Sequence, residues 1–201
     1  MRNIAYDDNY IRVIDGVFSK DYCENLITQF ELCSQQHREI PTRLIELDLL
    51  NLVHNSKSLF GNKYKGWKTF NVHDFTADTD LAMRIIQEEF LLYKDRWDSL
   101  DKMPVTHTAE GFRIKAYRPG VHQFKMHVDV GNRISASRFL GFLIYLNDSD
   151  AGTEYPQLDM TIEARQGRMV IFPPMWMYPH RGQMPSKHSK YIMSTYLQYD
   201  N

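Results

Sequence analysis

The chain has 201 residues, of which 43% are hydrophobic and 24% are charged. These proportions are typical of a folded globular protein and exclude a disordered or fibrous chain. The formal net charge of −1 does not favour general binding to nucleic acid or to a membrane surface, so neither is expected as a partner. The sequence has no run of about 18 apolar residues, so no membrane-spanning helix is expected. Its start also has no apolar stretch behind a basic end, which predicts that there is no signal peptide.

The two cysteines, Cys23 and Cys33, fall in one segment with a helical pattern. Ten residues of unbroken helix separate their Cα atoms by roughly 15 Å. A disulfide requires Cα atoms within about 7 Å of each other. We therefore expect two free, partly buried thiols and a reducing, cytoplasmic location.

The first third of the sequence favours helices and irregular structure. Ser19 is predicted to cap a helix that has Asp21 in its first turn. Leu26, Ile27 and Phe30 then recur at a spacing that places them on one face. This segment is expected to pack against a core that lies elsewhere in the chain.

A second helix is predicted after the polar residues 78–80, which supply cap candidates. Its apolar residues follow a period near 3.6, and they are Ala82, Ile85, Ile86, Phe90, Tyr93 and Trp97. A helix with one apolar face needs a sheet or another helix to cover that face. Pro104 is expected to end this region.

From about residue 110 the pattern changes to short apolar runs with turn signals between them. The predicted strands cover residues 112–117, 124–130, 138–146, 152–155, 160–164, 169–172 and 191–199. Many short strands at regular spacing predict an α+β, mainly β protein, with a jelly roll (double-stranded β-helix) core and N-terminal helices packed on its outside. We expect a single domain over residues 1–201, with mainly helical support in 1–105 and the jelly-roll core in 106–201.

Three candidate metal ligands lie in the β half. His127 and Asp129 are two residues apart at the end of a predicted strand, so their side chains point to the same side. His180 follows after a further strand and loop. Two histidines and one carboxylate are the ligand set of non-heme iron(II) sites, which leave coordination positions open. A short His-x-Asp motif is weakly specific in a chain with eight histidines, and alone it also fits ordinary surface residues.

Four stretches around these ligands combine into a more specific pattern. They are Tyr117-Arg118-Pro119-Gly120 leading into His127-x-Asp129, then residues 142–148 followed by Gly152-Thr153-Glu154-Tyr155-Pro156, then residues 166–173, and finally His180-Arg181-Gly182 with Lys190. Together they resemble the prolyl 4-hydroxylase-like branch of the Fe(II)/2-oxoglutarate-dependent dioxygenases. The family carries two glycines before the threonine, whereas this chain has only Gly152, which is expected to make the turn alone.

The resemblance implies that His127, Asp129 and His180 hold Fe(II). It also implies 2-oxoglutarate as the co-substrate, O2 as the oxidant and ascorbate as an optional reductant. An intact Asp129 does not fit a halogenase, which needs that coordination position for halide. Arg181, which directly follows His180, is expected to point away from the metal if the segment is extended. Its role is then structural or substrate-facing.

The co-substrate is implied to bind Lys190, which lies ten residues after His180 and pairs with its distal carboxylate. A buried carboxylate needs a cation, so this pairing is physically reasonable. Tyr117 is implied to add a hydroxyl to the same carboxylate, and Tyr196 to form an aromatic wall of the pocket. Lys187 is a nearby lysine at an offset that does not match the family.

The expected reaction is hydroxylation of an unactivated C–H bond with release of succinate and CO2. Prolyl residues in a peptide or protein are the leading substrate, and Arg118, Trp176 and Tyr178 are candidates for lining the acceptor groove. A free amino acid or another small metabolite is the alternative. A cupin-like metal-binding module or a zinc hydrolase is the alternative of another class. The sequence does not determine the oligomeric state.

Overall fold

The computed structural model describes residues 3–36, 46–48, 69–71, 76–97, 102–103 and 107–199. The described helices are α1 (Lys20–Gln36) and α2 (Thr76–Arg96). The strands are β1 (Asn3–Asp8), β2 (Ile11–Asp15), β3 (Glu46–Asp48), β4 (Thr69–Asn71), β5 (His107–Ala109), β6 (Arg113–Tyr117), β7 (Phe124–His127), β8 (Arg138–Tyr145), β9 (Ser149–Tyr155), β10 (Met160–Ala164), β11 (Met169–Phe172), β12 (His180–Gly182) and β13 (Lys190–Tyr199). A short 3-10 turn, Pro156–Leu158, joins β9 to β10.

The strands form two sheets that are almost entirely antiparallel. The larger sheet has the order β1-β2-β11-β8-β13-β6-β3-β4, with β5 also paired to β13 and only β3 and β4 parallel. The smaller sheet has the order β10-β9-β12-β7. Non-consecutive strands are neighbours in both sheets, as in a jelly roll. The predicted mainly-β jelly-roll fold is therefore confirmed.

The larger sheet is covered on both faces, which explains why its central strand β8 is buried along its whole length. One face packs against α1 and α2 in a core that includes Phe30, Ile86 and Ile144. The other face packs against the smaller sheet in a second core that includes Leu143 and Ile162. A strand buried on both faces has a continuous apolar sequence instead of an alternating one.

Both predicted helices are present. The Ser19 hydroxyl accepts a hydrogen bond from the Tyr22 backbone N–H at 3.2 Å, which confirms Ser19 as the N-cap of α1. Helix α2 begins at Thr76, slightly before the predicted caps. Four residues of its predicted apolar face are buried, and they are Ala82, Ile86, Phe90 and Tyr93. The Tyr93 hydroxyl also donates to the Tyr10 carbonyl at 2.7 Å, which fixes α2 against the start of the sheet.

The N-terminal hairpin contradicts the prediction that the first third is helical or irregular. Strands β1 and β2 pair around a turn at Asn9 and Tyr10, whose φ angles are 50° and 55°. Positive φ at both central residues is typical of the tight turns that join hairpin strands. Strand β2 then pairs with β11 and extends the larger sheet. Its sequence does not alternate between apolar and polar residues, because residues Ile11–Ile14 are all buried.

Of the two cysteines that were predicted to be free thiols, one has a described side chain. Both lie on α1, and Cys23 is buried and free. Burial raises the pKa of the Cys23 thiol to about 11, so the thiolate is disfavoured. The side chain of Cys33 lies outside the described part of the chain, as do His37, His54 and His73. Among the described residues, neither helix is long and apolar enough to cross a membrane, and the cytoplasmic location stays a prediction.

Gly167 joins the large sheet to the start of α1, and we predict that Gly167→Ala destabilises the fold. Its φ angle is +75°, and an added Cβ would overlap the carbonyl oxygen of Phe18. Its own carbonyl accepts the Val17 N–H at 2.9 Å, so the two segments cannot simply separate. We expect a loss of about 2–3 kcal/mol in the free energy of unfolding, measured by urea denaturation. A loss below about 0.5 kcal/mol, the range of an ordinary surface substitution, would contradict this interpretation.

Candidate functional site

The three predicted ligands lie close together where the neighbouring strands β7 and β12 pair. These strands pair with His180 opposite His127, and Asp129 lies two residues after the end of β7. His127 Nε2 lies 3.3 Å from Asp129 Oδ1, and His180 Nε2 lies 3.6 Å from Asp129 Oδ2. One ligand atom from each residue lies within 4.8 Å of the others. Within the described ranges, no second cluster of three metal-binding side chains is found.

Backbone carbonyls orient both imidazoles. His127 Nδ1 lies 2.8 Å from the Lys125 carbonyl, and His180 Nδ1 lies 3.0 Å from the Tyr178 carbonyl. A carbonyl only accepts, so each Nδ1 carries the proton and each Nε2 presents a lone pair to the cluster. Among the described residues, His127 Nε2 and Asp129 Oδ2 are buried without a hydrogen-bond partner. Buried polar atoms are normally paired, so this arrangement fits a bound cation.

The charge states of the cluster suit a divalent metal. Burial lowers the pKa of His180 despite the opposing effect of Asp129, so its imidazole stays neutral. Burial would raise the pKa of Asp129, but a proton on His127 or His180 beside the carboxylate outweighs burial and lowers this pKa to about 2, so Asp129 is the anion of the cluster. Two imidazole nitrogens and one carboxylate are a donor set that open non-heme iron sites use. The residues present therefore fit the metal that the sequence predicts.

Arg138 holds the backbone of one ligand of this cluster. Its Nη1 donates to the Asp129 carbonyl at 3.2 Å, and its Nε and Nη2 donate to the two carboxylate oxygens of Glu110 at 2.5 and 2.8 Å. Its guanidinium also lies 4.2 Å from the ring centroid of Tyr196. Arg113 shares the Glu110 carboxylate at 3.0 Å. The buried Arg138 thus connects the backbone of one ligand to the wall of the adjoining pocket.

We predict that Arg138→Met weakens metal binding without changing a ligand. The substitution leaves the Asp129 backbone less constrained and breaks a buried ion pair. We expect the Kd for Mn(II), a redox-stable probe, to rise about 10- to 100-fold. The free energy of unfolding should fall by about 3 kcal/mol.

A matched control is Arg165→Met, because the Arg165–Glu163 pair is exposed, with 58% and 68% of the side chains accessible. We expect it to change the free energy of unfolding by less than about 1 kcal/mol and to leave Mn(II) affinity unchanged. Equal Mn(II) affinity in Arg138→Met and in the wild type would show that Arg138 does not position Asp129.

A pocket of about 480 Å³, counting the space at its mouth, extends from the cluster into the space between the sheets. Strand β13 contributes every second residue to its wall, and these residues are Lys190, Ile192, Ser194 and Tyr196. Strand β6 contributes Lys115 and Tyr117 in the same way. Period-2 alternation thus places residues from two neighbouring strands on the face that meets the metal cluster.

Lys190 lies on the pocket floor and is only 1% exposed. Its ammonium donates to the carbonyls of Gly152 and Gln183, both at 3.1 Å, and lies 4.8 Å from the ring centroid of Tyr117. These contacts are polar or aromatic and supply no full negative charge. Burial therefore lowers the pKa of Lys190 to about 8. A buried lysine with this environment is suited to a carboxylate ligand.

The other predicted site residues fall into two groups. Tyr117 and Tyr196 line the same pocket as Lys190. Burial and the nearby Asp129 charge raise the pKa of Tyr196 well above its usual range, so it stays a neutral phenol. Lys187 is exposed and lies outside the pocket. Arg181 is exposed and pairs with Glu154, which confirms that it points away from the buried His180.

The candidate groove residues lie outside this pocket. Arg118 is exposed, Tyr178 is half-buried and Trp176 is 75% exposed. None of the three residues lines the pocket, so they could contact a substrate only outside it.

Three polar residues of the pocket were not predicted as site residues from the sequence. Lys115 is half-buried, Thr153 is buried and accepts a 2.7 Å hydrogen bond from the Tyr145 hydroxyl, and Ser194 is buried without a partner among the described residues. The alternation of β6 and β13 is a signal that would have found Lys115 and Ser194. Predicting that Thr153 lines the pocket would have required the pairing of β9 with β12, which the sequence does not reveal.

Gly152 corrects one sequence prediction. It was expected to make a turn, but it lies inside β9. An added Cβ there would overlap the Ile162 carbonyl of the neighbouring strand β10. The glycine is therefore required for close strand approach, and this approach also positions the carbonyl that holds Lys190.

Comparisons with known proteins agree with this geometry. Residues 112–198 match the family model of the 2OG-Fe(II) oxygenase superfamily. No curated protein matches the chain. The matched segment contains the whole cluster and every residue of the pocket that the structure describes.

Solved prolyl hydroxylases have the same fold over nearly the whole chain. The viral collagen prolyl hydroxylase of Paramecium bursaria Chlorella virus-1, in its 2OG complex, has a TM-score of 0.68 and 15% identity, covering 98% of this chain and 99% of that chain. A Pseudomonas putida prolyl-4-hydroxylase has a TM-score of 0.62 and 12% identity, covering 95% and 93%. A Trichoplax adhaerens prolyl hydroxylase, in complex with a hypoxia inducible factor peptide fragment, has a TM-score of 0.63 and 12% identity, covering 94% and 84%. At these identities the likeness establishes the fold.

Proposed function

We propose that this chain, whose residues 112–198 match the 2OG-Fe(II) oxygenase superfamily and whose fold is that of solved prolyl hydroxylases, hydroxylates an unactivated C–H bond of a prolyl residue in a peptide or protein. One oxygen atom of O2 would enter the hydroxyl group, and the other would enter the succinate formed from 2-oxoglutarate with loss of CO2. The observation that carries the proposal is one pocket with the His127, Asp129 and His180 cluster near its opening and the buried Lys190 on its floor.

In this proposal His127, Asp129 and His180 are the iron ligands. A bound Fe(II) would supply the redox chemistry that activates O2 and the C–H bond. The chain supplies two Nε2 lone pairs whose direction is set by the carbonyls of Lys125 and Tyr178. It also supplies one carboxylate that stays ionised because its pKa is about 2. Three protein ligands leave positions for co-substrate and O2 on an octahedral metal.

Lys190 and Tyr117 are proposed to hold the distal carboxylate of 2-oxoglutarate. Lys190 already donates to two carbonyls, which leaves one N–H of its ammonium for a ligand. The Tyr145 hydroxyl donates to Thr153, so the Thr153 hydroxyl is able to donate its own proton into the pocket. The buried walls, including Phe172 and Ile192, exclude water and strengthen the pairing of charges.

A peptide acceptor is supported by the surroundings of the opening. Strand β7 ends the smaller sheet, so its outer edge has no paired strand within the described part of the chain. Extended peptides commonly pair with such edges. Large apolar side chains near this edge are exposed, among them Val121, Met126 and Trp176. The peptide bound to the Trichoplax adhaerens enzyme provides an example with the same fold.

Hydroxylation of a free amino acid is the second candidate. The observation that favours it is Lys115, a second lysine in the pocket that could bind the carboxylate of a small substrate. The family match favours either oxygenase reaction over the cupin-like or zinc hydrolase alternatives considered from the sequence.

A panel of proline-containing peptides and free L-proline tests the proposal. The purified chain is incubated with Fe(II), ascorbate, 2-oxoglutarate and each compound under air. We expect a product heavier by about 16 Da, one oxygen atom, together with stoichiometric succinate. The matched control is Asp129→Asn, which should give neither product. Succinate production that no proline-containing compound stimulates would contradict the prolyl substrate while preserving the oxygenase assignment.

A further inference from the structure

The pocket contains a second lysine that the proposed binding of iron and 2-oxoglutarate does not use. Lys115 lies on β6, two residues before Tyr117, and its side chain is on the same face. It is half-buried, whereas Lys190 is 1% exposed. Its half-buried neighbours in the lining are Phe124, His127 and Asp129. Lys115 therefore lies on the outer, metal-facing side of the pocket.

No carboxylate forms an ion pair with this lysine among the side chains that the structure describes. Its ammonium is in no ion pair there, and it lies over the ring of Phe124, 5.0 Å from the centroid. The neighbouring cation on β6, Arg113, pairs with Glu110 at 3.0 Å. Asp129, the carboxylate in the lining, is engaged with the two histidines. A cation without a carboxylate partner at the wall of a pocket is available to pair with an anionic ligand.

The charges of the pocket support the same conclusion. Lys115, Lys190 and Asp129 are the lining residues with formal charge near neutral pH, and together they leave one unit of positive charge. A divalent metal and the doubly charged 2-oxoglutarate would cancel each other. One positive charge therefore remains, and it corresponds to Lys115, because Lys190 is assigned to 2-oxoglutarate.

Ser194 provides a hydroxyl close to the same place. Strand β13 pairs with β6 so that Ile192 is opposite Lys115 and Ser194 is opposite Arg113. Ser194 is therefore a diagonal neighbour of Lys115 on the same face, within reach of its long side chain. The Ser194 hydroxyl is buried without a hydrogen-bond partner among the described residues. A cation and an unused hydroxyl on adjacent strands together suit a carboxylate.

We propose that Lys115 and Ser194 form an anion subsite that binds a carboxylate of the prime substrate, next to the carbon that is hydroxylated. This inference rests on the proposed function, because it assumes that Lys190 takes the distal carboxylate of 2-oxoglutarate. The carboxylate belongs either to an acidic residue of a peptide or to a free amino acid. The substrate class is therefore anionic in both cases.

The first test uses acetate as a minimal carboxylate probe. The full chain is saturated with Mn(II) and 2-oxoglutarate, and the relaxation of the acetate methyl protons by the paramagnetic metal is measured by NMR. We expect the relaxation to be at least about tenfold weaker in Lys115→Met than in the wild type, with Ser194→Ala intermediate and Lys115→Arg close to wild type. Methanol, which is neutral and of similar size, should show no dependence on Lys115.

Two measurements separate the inference from its alternatives. We expect the Kd of 2-oxoglutarate to change by less than about twofold in Lys115→Met, since Lys190 remains. A rise of about tenfold would instead assign Lys115 to the co-substrate and overturn the inference. Strand β3 places Glu46 opposite Lys115 in backbone register. Stronger acetate relaxation by about tenfold in Glu46→Gln would show that the chain itself neutralises Lys115, which would also overturn it.

The two carboxylate sources are compared by hydroxylation assays. N-acetylated peptide amides with Glu or Gln beside proline test the peptide source, and free L-proline against L-prolinamide tests the small-molecule source. Preference for the charged member of either pair, lost in Lys115→Met, supports the subsite. Equal turnover of charged and neutral members of both pairs overturns it. A wild-type chain that fails to bind 2-oxoglutarate in the presence of Mn(II) would count against the proposed function itself, which is a distinguishable result.

Discussion

The substitution His180→Ala is expected to abolish metal-dependent activity while preserving the fold. His180 is 7% exposed, and its Nε2 lies 3.6 Å from Asp129 Oδ2 in a cluster that contains two other ligand candidates among the described residues. Loss of a residue that merely orients a ligand costs about 10- to 100-fold in affinity, so loss of a ligand should cost at least about 100-fold. The measurement is the Kd for Fe(II) under anaerobic conditions, with Mn(II) titrations as a check.

His188→Ala is the matched control, because His188 is exposed and lies outside the cluster. It should bind Fe(II) with the affinity of the wild type. Circular dichroism and thermal unfolding of both variants establish whether the chain is folded. Unchanged Fe(II) affinity in a folded His180→Ala protein would remove His180 from the ligand set and would require a different metal site.

The substitution Lys190→Met is expected to weaken co-substrate binding and to stabilise the fold. The variant leaves the distal carboxylate of 2-oxoglutarate without its cation. Removing one partner of a buried ion pair costs about 3–5 kcal/mol, which corresponds to a rise in KM for 2-oxoglutarate of at least about 100-fold. Methionine has a similar length and no charge, so it fills the same space without the cost of desolvation. This gain is expected to exceed the loss of the two Lys190 hydrogen bonds to the carbonyls of Gly152 and Gln183, at about 1 kcal/mol each.

The stability effect follows from the lowered pKa of Lys190, about 8 in the folded protein against 10.5 for the free side chain. A difference of this size corresponds to about 3 kcal/mol against the charged form. Below pH 8 both folded and unfolded wild-type chains carry the proton, and the folded chain bears the full cost. Between pH 8 and 10.5 the unfolded chain binds more protons, so wild-type stability rises with pH. The advantage of Lys190→Met should therefore be largest below pH 8 and should shrink towards pH 10.5.

The same pKa predicts how co-substrate affinity depends on pH. Above pH 8 the ligand-free Lys190 loses its proton, so the wild-type KM for 2-oxoglutarate should rise by up to about tenfold for each pH unit. Lys190→Arg should remove this dependence, because arginine stays charged. Lys187→Met is the matched control, since Lys187 is exposed and outside the pocket. A KM for 2-oxoglutarate that is the same in Lys190→Met and Lys187→Met would contradict the role of Lys190.

The β half was largely predictable from its sequence, because strand periodicity and turn signals are local. Strands β10 and β11 have the bounds that the pattern predicts, and the other predicted strands differ by a few residues at their ends. The spacing of His127 and Asp129 predicted their common direction. The resemblance then added His180 and Lys190, and the structure brings these residues to one pocket. Their roles as ligands and co-substrate anchor stay proposals that the substitutions above address.

Features that depend on long-range pairing were not predictable in the same way. The N-terminal hairpin does not follow from the sequence, because β2 pairs with the distant strand β11 and has its two faces covered by two different cores, so its apolar residues do not alternate. Arg138 was seen only as the start of a strand, since its bonds to Glu110 and to the Asp129 carbonyl link separate segments. Gly152 was assigned to a turn because its close approach to Ile162 depends on the pairing of β9 with β10. A sequence gives periodicity directly, whereas these contacts depend on the assembled sheets.

Succinate formation from 2-oxoglutarate under air, with Fe(II) and ascorbate, is the decisive assay for the oxygenase site. Wild type and His180→Ala are compared with a detection method sensitive enough for slow turnover in the absence of prime substrate. We predict Fe(II)-dependent succinate from the wild type and none above background from His180→Ala. No succinate from either protein, together with no binding of 2-oxoglutarate to the iron-loaded wild type, would contradict the proposed oxygenase function.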